Sequence, residues 1–502
     1  MKTTQYLVTS VVSSLLLSAC FGGSSGGKVD IKPDPNPSKP EYLYSAKAKL
    51  KNECGVESAN QNAYMIVHND DFSTLTTIDA DVNGDMSYKS DKALESITIV
   101  STHLEMETGE PALKMTTYLG VAPGNFDTQF NYTGGKDGCN CNTSTITATL
   151  PDDMAFTYPD RVEVTGFTSY GEIDRDNSQY LTIENAELCL APGEAGKPIE
   201  VAIEYRPAFI DEWDEYVAYS SSYQLGDELQ IVNKAESLNV DISIPSSTEI
   251  NDSFNYAFTV KDGKWIGPTF NYDVDSFTET EFKLFEFEQT DFYLLSLGTN
   301  LWQEDEIRVI AYHDAYFNQR PQTAELSTDF IDENMALSIA NQDTGSYDYS
   351  NLTMFDFMTS HLTDNSSNFD WYIVMPLKGK VPNFEALELK DQSVLATMFT
   401  DVNSLSYRLS LKGYEQNVDS YEDVISTFYR DDRVNDFSQF KNAYSLSIRM
   451  TMDLTNGFGS GFGEKTQNSQ SKMAGRPGAS EADVIGQNDK RAELLNQGPI
   501  VR

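Results

Sequence analysis

The residues best suited to chemistry in this chain of 502 residues are four oxygen donors in the segment DADVNGDMS. Asp79, Asp81, Asn83 and Asp85 occupy alternate positions, and Gly84 permits a sharp bend between the last two. Calcium-binding loops begin with this D-x-[DN]-x-[DN]-G pattern, because carboxylate and amide oxygens are the ligands that a hard cation prefers. The pattern therefore predicts a calcium site at these four residues, and Ca²⁺ is the one cofactor that the sequence suggests.

The same segment departs from a complete calcium loop in two ways. The twelfth position, where such loops supply a bidentate glutamate, is Ser90, and the flanking segments alternate as strands do instead of forming helices. A solvated hairpin turn rich in Asp, Asn and Gly is the alternative interpretation, and both remain open from the sequence.

The first 20 residues have the character of an export signal. Lys2 precedes an apolar stretch of about a dozen residues, which is shorter than the roughly 20 residues that a membrane-spanning helix needs. The stretch ends in Leu17-Ser18-Ala19-Cys20, which resembles the lipobox of bacterial lipoproteins. The resemblance implies that residues 1–19 are a signal peptide and that Cys20 carries diacylglycerol on its sulfur and a further acyl chain (palmitate or similar) on its amino group.

Residues 20–40 form the predicted tether between that anchor and a folded body. Glycine and serine come first and favour a flexible chain, and the four prolines from Pro33 to Pro40 favour an extended one. Several acyl chains together hold a protein stably at a membrane. Because Phe21 stands where enterobacterial lipoproteins retained at the inner membrane carry aspartate, the resemblance implies the cell outer membrane, facing either the periplasm or the cell surface.

Four cysteines follow Cys20, and an even number in an exported chain favours disulfide bonds. A bridge between Cys139 and Cys141, which are separated by one residue, would be badly strained. We therefore expect Cys54 to pair with one of these two and Cys189 with the other. A structural zinc site is the alternative, although the C-x-C spacing lacks the paired C-x-x-C of zinc sites.

Signatures of catalysis are missing from the sequence. It contains no G-x-S-x-G nucleophile turn, no H-E-x-x-H metal motif and no phosphate-binding glycine loop. Four histidines, none close to another along the chain, are His68, His103, His313 and His361, and only His313 has a neighbouring carboxylate, in Asp314. We assign no catalytic residue, and the sequence favours a protein that is not an enzyme.

The charge of the chain excludes some partners. Acidic residues outnumber basic ones 77 to 36, for a net charge of -41; residues 41–456 carry -44, because residues 1–40 carry +2 and residues 457–502 carry +1. Such a body repels nucleic acid and anionic lipid headgroups, so the expected contact with the membrane is through the lipid anchor alone. Adaptation to salty or divalent-rich surroundings accounts for this charge, and specific calcium binding is the alternative.

Hydrophobic periodicity predicts a mainly β fold, with tandem β-sandwich-like domains and a few short helices in the C-terminal half. Residues alternate between apolar and polar with many β-branched side chains, and Asp262-Gly263 provides the turn of a hairpin. The clearest predicted strands have the sequences ITIV, TSTITATL, RVEVTGF, IEVAIEY, NVDISIP, EFKLFEFE, IRVIAY, WYIVMP, SYRLSLKGY and YSLSIRMTMDL. Near-helical spacing predicts helices over 384–399 and 420–429, the second with Ser420 and Asp423 as a capping pair.

These elements suggest a division of the chain. A disulfide-stapled β-sandwich region spans 41–206, a larger β-rich domain or two sandwiches span 207–456, and 457–502 lacks periodicity and is predicted to be a disordered tail. Within the first region, residues 63–100 resemble a carboxypeptidase regulatory-like domain, with a strand, a Thr-Asp-Ala-type hairpin turn and a strand ending in an apolar run. That resemblance implies a non-catalytic spacer.

The predicted function is that of an outer-membrane lipoprotein acting as a binding or structural module at the cell envelope, with an envelope protein or glycan as partner. The alternative is an envelope glycan hydrolase or glycan-binding protein. Aromatic residues make up 12% of the chain and mix with acids, as in DEWDEYVAY from Asp211, an arrangement able to stack on sugar rings. Aromatic packing inside a sandwich explains the same composition.

Overall fold

The computed structural model describes most of the chain between residues 40 and 453. The described residues are 40–104, 109–131, 135–150, 159–174, 180–194, 197–207, 217–224, 226–231, 233–234, 236–243, 253–261, 264–271, 281–287, 290–304, 307–326, 346–364, 368–380, 382, 387–390, 404–415, 418, 420–430 and 441–453. The predicted signal peptide, Cys20, the tether up to residue 39 and the predicted tail 457–502 lie outside them. In the described part, no helix is long and apolar enough to span a membrane.

Strands dominate the described residues, so the mainly β fold is confirmed. The first eight strands are β1 (Tyr42–Lys51), β2 (Glu57–Ala59), β3 (Tyr64–His68), β4 (Thr74–Asp79), β5 (Asp85–Ser90), β6 (Glu95–Leu104), β7 (Pro111–Val121) and β8 (Gly124–Asn131). The next eight are β9 (Asn140–Thr149), β10 (Pro159–Thr165), β11 (Ile173–Asp174), β12 (Tyr180–Leu190), β13 (Ile199–Pro207), β14 (Val217–Tyr223), β15 (Leu229–Gln230) and β16 (Asn233–Lys234).

The remaining elements run from residue 236 to residue 453. They are β17 (Glu236–Ser243), β18 (Ser253–Lys261), β19 (Lys264–Asn271), β20 (Glu281–Glu286), β21 (Phe292–Glu304), β22 (Ile307–Phe317), β23 (Thr323–Glu325), β24 (Ser346–Asp348), β25 (Phe357–Asp364), β26 (Phe369–Met375), β27 (Lys378–Lys380), β28 (Ser404–Glu415), helix α1 (Tyr421–Phe428) and β29 (Asn442–Asp453). Every strand predicted from periodicity coincides with one of these strands.

A twelve-stranded sheet is the main element of the fold. Its strand order is β19-β18-β21-β22-β29-β28-β25-β26-β7-β6-β3-β4. Neighbouring strands are antiparallel except for β26 and β7, which run parallel and align Trp371 with Met115. Because β7 lies near the start of the chain and β26 near its end, this pairing joins distant parts of the sequence in one sheet.

The predicted division at residues 206 and 207 does not coincide with the boundaries of the sheets. Strands β3, β4, β6 and β7 belong to the same sheet as β18 and the later strands. The sandwich instead spans about 140–234, where two four-stranded sheets, β10-β13-β14-β16 and β11-β12-β9-β15, pack around their own core. That core contains Ile146, Ile183, Val201 and Ile203. The predicted division followed the last cysteine, whereas the pairing of β7 with β26 joins strands from both sides of it.

Both faces of the large sheet carry apolar cores. One face packs Ile66, Met115, Trp371 and Leu409 in a core that also includes Tyr347. The opposite face packs Met65 and Ile99 against the sheet formed by β2, β1, β5 and β8 and against helix α1. A smaller core lies between β21 and β22 and the three-stranded sheet β20-β17-β23. The sheet is therefore a rigid central layer, and its residues alternate between two different environments.

Helix α1 confirms one of the two predicted helices. The Ser420 hydroxyl accepts from the backbone N–H of Asp423, as predicted, and Val424 and Ile425 are buried. Arg430, just after the helix, donates to the backbone carbonyls of Ala122 (3.1 Å) and Pro123 (3.0 Å). The other predicted helix, 384–399, lies mostly outside the described residues, and its described part, residues 387–390, has no helical structure.

Candidate functional sites

The predicted calcium residues form the tight connection between β4 and β5. The Asp81 Oδ1 atom accepts from the backbone N–H groups of Asn83 (2.7 Å) and Asp85 (3.0 Å), and these bonds hold the pKa of the Asp81 carboxyl below its usual value. Gly84 has a φ of +79°, and a Cβ atom there would lie 2.4 Å from the carbonyl oxygen of Ala48. The sequence of this turn thus meets the conformational demands of the hairpin itself.

The other two carboxylates of the turn are engaged in ion pairs. Asp79 pairs with Lys390, and Asp85 lies 3.4 Å from Lys47. Within the described residues, only Cys141, Glu187 and Cys189 bring three His, Cys or carboxylate ligand atoms within 4.8 Å of one another. The three aspartates of the turn therefore do not converge, an arrangement that favours the hairpin interpretation. Calcium binding at Asp79, Asp81, Asn83 and Asp85 stays a prediction.

The effect of divalent cations distinguishes the two interpretations. With a net charge of -41, the compact state is destabilised by self-repulsion, which any divalent cation relieves. We expect Ca²⁺ and Mg²⁺ at equal concentration to raise the melting temperature equally, as measured by thermal unfolding of the full-length protein. Asp79→Ala is expected to preserve this equality.

Asp71→Ala is the matched control, because it removes one carboxylate from another exposed turn, in which Asp71 accepts from the backbone N–H of Ser73. A rise that is specific to Ca²⁺, survives Asp71→Ala and disappears in Asp79→Ala would contradict the expectation and establish the calcium site. Ca²⁺ would then be selected over Mg²⁺ by a flexible oxygen cage.

Two disulfides are present, in one of the two pairings left open by the sequence. Cys54 bonds to Cys139 with their Cα atoms 5.9 Å apart, and Cys141 bonds to Cys189 with their Cα atoms 4.0 Å apart. Cys141 and Cys189 are directly opposite each other on β9 and β12. Since both sulfurs of this second pair are bonded to each other, the group that they form with Glu187 offers no thiolate to zinc.

A buried chain of hydrogen bonds crosses four strands of the large sheet. The Trp371 Nε1–H donates to Thr117 Oγ1 (2.9 Å), and Thr117 lies 2.7 Å from Thr98 Oγ1. Thr98 in turn lies 2.7 Å from His68 Nε2, whose Nδ1 is 3.2 Å from the Phe72 carbonyl oxygen. Tryptophan only donates and a carbonyl only accepts, so the direction of the chain is set: both hydroxyls point towards a neutral His68.

The other histidines also have structural partners. His313 lies 3.1 Å from Asn442 Oδ1 and packs on the ring of Tyr444. Its sequence neighbour Asp314 instead bonds to Ser296, because consecutive strand residues point to opposite faces. His313 and Asp314 therefore do not form a catalytic pair. His361 lies 3.0 Å from Asp370, and His103 lies 3.2 Å from Ser101.

The most unusual electrostatic feature is a row of arginines across the middle of the large sheet. Arg408 on β28 is directly opposite Arg449 on β29, and Arg449 is directly opposite Arg308 on β22. His361 on β25 continues the row on the other side of Arg408. These four positions, which we call the arginine row, bring three of the twelve arginines of the chain together on adjacent strands.

Buried hydroxyls and an ammonium group lie beside the arginine row on the same face. Ser410 and Ser447 are directly opposite each other with their hydroxyls 2.8 Å apart, and Arg408 donates to Ser447 Oγ over 3.2 Å. One step further along the strands, Lys412 is opposite Ser445, and both are buried, with 8% and 9% of their surface exposed. The face thus combines cations with hydroxyl donors, on strands that hold them rigidly.

The segments that form β28 and β29 carry cations and serines at their polar positions. The apolar positions of both strands predict the strands but carry no information about this polar face, so hydrophobic periodicity does not show that these polar residues meet. The polar positions of SYRLSLKGY are Arg408, Ser410 and Lys412, and those of YSLSIRMTMDL are Ser445, Ser447 and Arg449. Read in opposite directions, the segments place Arg408 opposite Arg449 and Ser410 opposite Ser447, whereas Lys412 is opposite Ser445. Recognising the cluster from the sequence would have required knowing that β28 and β29 pair in this register.

Comparisons with known proteins offer no relative from which a site could be inferred. A scan against protein-family models finds no match, and a search of curated proteins finds no match either. The arguments for function therefore come from the residues of this chain.

Proposed function

We propose that this protein is a lipid-anchored protein of the bacterial outer membrane whose β-rich body acts as a binding or structural module at the cell envelope. The observation that carries the proposal is Leu17-Ser18-Ala19-Cys20, followed at once by a glycine- and serine-rich segment. The multiple acyl chains that a lipobox implies would hold the body at the membrane without a spanning helix. The partner would be an envelope protein or glycan.

Two features of the described body support this proposal. The disulfides Cys54–Cys139 and Cys141–Cys189 suit an oxidising compartment outside the cytosol. The described histidines serve as hydrogen-bond partners within the fold, which suits a module that binds without catalysing a reaction. The alternative, an envelope glycan hydrolase or glycan-binding protein, stays a prediction because nothing in the described part of the chain favours it specifically.

Replacing the lipid acceptor tests the anchor. Cys20→Ser removes the sulfur that would carry diacylglycerol, so we expect the protein to move from the washed outer-membrane fraction to the soluble fraction. Fractionation followed by immunoblotting measures the change, and most of the protein is expected to shift.

Ser24→Ala, four residues further along the tether, is the matched control and should stay membrane-bound. Retention of the Cys20→Ser variant in washed outer membranes would contradict the proposal that the protein is a lipoprotein. Metabolic labelling with a fatty acid provides an independent readout, since the label should appear in the wild type and in Ser24→Ala but not in Cys20→Ser.

A further inference from the structure

We propose that the open edge of strand β4 pairs with the same edge of a second copy of this chain, which joins the two large sheets about a two-fold axis at Thr77. Strand β4 stands at one end of the twelve-stranded sheet. The inference goes beyond the proposed membrane anchor and does not depend on it, because β4 belongs to the folded body.

The register of β4 shows which of its backbone groups are left at the edge. Strand β4 pairs antiparallel with β3, and just beyond it the Ala80 N–H donates to the carbonyl oxygen of Ala63 (3.0 Å). Hydrogen-bonded pairs recur at every second residue of an antiparallel ladder. Thr76 and Ile78 therefore bond to β3, whereas Thr77 directs its N–H and C=O groups away from the sheet.

This edge is accessible to solvent. In the part of the chain that the structure describes, β3 is the one strand paired with β4. Leu75 has 45% of its surface exposed, and Asp79 is also exposed. The neighbouring segment 387–390 meets Thr74 and Asp79 at their side chains, and its two leucines are buried in the core on one face of the sheet. That segment therefore lies over the face of the sheet and not along its edge.

The sequence of β4 lacks the residues that commonly prevent edge strands from associating. Natural edge strands carry charged side chains or proline for this purpose. The segment Thr74–Ile78 contains neither, although 23% of the residues of the chain are charged. Threonine and isoleucine favour the extended conformation. The register shift between Val67 and His68 affects only the start of β4, so the rest of the strand is regular and suited to receive another strand.

The charge of the chain explains why two copies would meet at this edge. Bodies that each carry a net charge of -41 repel one another, so a contact between them must avoid opposing like charges. Antiparallel self-pairing centred on Thr77 places Thr77 opposite Thr77, Thr76 opposite Ile78 and Leu75 opposite Asp79 of the other copy. No like charges then face each other directly, and paired threonines stabilise neighbouring strands.

The same register satisfies the outward backbone groups. Each Thr77 N–H donates to the C=O of the other Thr77, so reciprocal hydrogen bonds cross the axis. Because both copies use the same surface, the contact is closed and association stops at the dimer. An unrelated extended peptide is the competing occupant of the edge, and it would leave the purified protein monomeric.

Sedimentation velocity over a wide range of protein concentration tests the proposal. The sample is the full-length chain with Cys20→Ser, so that neither acyl chains nor a free thiol at this position can cause association. We expect an equilibrium between monomer and dimer. Its dissociation constant should fall at least about tenfold when sodium chloride is raised from about 0.02 M to about 0.5 M, because salt screens the repulsion between the two acidic bodies.

Substitutions of Thr77 in this parent chain connect the dimer to the edge. Thr77→Pro removes the outward N–H, at a position where an edge strand tolerates proline, and should weaken dimerisation at least about tenfold with little change in melting temperature. Thr77→Val is the matched control, since it keeps the N–H and a β-branched side chain. It should dimerise as the parent does.

Cross-linking provides a readout that does not depend on the proline variant. Opposite Cα atoms in a hydrogen-bonded pair lie about 5.5 Å apart, within the reach of a disulfide, so Thr77→Cys should form a covalent dimer on a non-reducing gel. Asp71→Cys, in the exposed turn before β4, is the control and should stay monomeric. If Thr77→Pro does not fold, the cross-link decides.

Three results would each overturn the proposal. The first is a parent chain that stays monomeric at every protein and salt concentration. The second is a folded Thr77→Pro variant that dimerises as strongly as Thr77→Val. The third is a Thr77→Cys variant that forms no more covalent dimer than Asp71→Cys does.

Discussion

Lowering the pH from 7 to 4 is expected to reduce the free energy of unfolding by about 3 kcal/mol through His68 alone. Burial lowers the pKa of His68 from 6.5 to about 4 in the folded protein, while the unfolded chain keeps the ordinary value. Between these two values the unfolded state binds the proton and the folded state does not. The contribution of His68 is therefore fully present above pH 6.5 and is lost as the pH falls towards 4.

Besides burial, the hydrogen bond from Thr98 opposes protonation of His68. Thr98 donates to the Nε2 atom of His68. Protonation of Nε2 would therefore place two donors, the imidazole N–H and the Thr98 hydroxyl, 2.7 Å apart. Thr98 would have to turn its hydroxyl hydrogen away from His68, next to the hydrogen bond that it shares with Thr117. Protonation thus reverses the hydrogen bond between Thr98 and His68 and leaves the Thr98 hydroxyl in need of another acceptor.

Chemical denaturation of the wild type and of His68→Gln across pH 4 to 7.5 measures this effect. Glutamine supplies both an N–H donor group and an acceptor oxygen, as neutral histidine supplies a donor and an acceptor, but it does not titrate. The many carboxylates titrate alike in both proteins, so the difference between the two curves isolates His68. We expect the difference to change by about 3 kcal/mol in favour of His68→Gln as the pH falls. Parallel curves would show that His68 does not couple to folding.

Removing the bond between Cys54 and Cys139 should destabilise the protein by roughly 4–5 kcal/mol. The two cysteines are separated by 85 residues, so their bond removes much of the conformational freedom of the unfolded chain. The double variant Cys54→Ser with Cys139→Ser is compared with the wild type by denaturant unfolding under non-reducing conditions. The double variant Cys141→Ser with Cys189→Ser removes a bond that closes a shorter loop, between cysteines 48 residues apart. It should lower the free energy of unfolding by about 4 kcal/mol.

Peptide mapping without reduction provides the accompanying check on the pairing. Fragments joined through Cys54 and Cys139, and others joined through Cys141 and Cys189, are expected from the full-length protein. Fragments that link Cys54 to Cys141 would contradict the pairing described here, and four free thiols would contradict both disulfides. In that last case, neither double variant should differ much from the wild type in stability.

Local patterns in the sequence were sufficient to predict the strands and the start of helix α1. Alternation of apolar and polar residues predicted strands such as β13 and β28, because successive strand side chains point to opposite faces whatever the partner strand is. Ser420 and Asp423 predicted the start of α1, since a cap is completed within one helical turn. The turn between Asp79 and Asp85 was also predicted, as one of two interpretations. In each case the interaction spans only a few residues.

The strain of a Cys139–Cys141 bridge excluded one of the three possible disulfide pairings and left two. Only the tertiary structure showed that Cys139 pairs with Cys54. The sequence also could not show that β7 lies beside β26, so that the twelve-stranded sheet takes strands from both sides of the predicted boundary at residue 206. The arginine row could not be predicted from the sequence either. Each arginine occupies an ordinary polar position of its strand, and only the register of strand pairing places one opposite another. The sequence by itself determined which segments are strands and which of their residues face a core, because that information is local. Which strands pair, and so which polar side chains meet, was decided by the tertiary structure, because pairing depends on how surfaces hundreds of residues apart pack together.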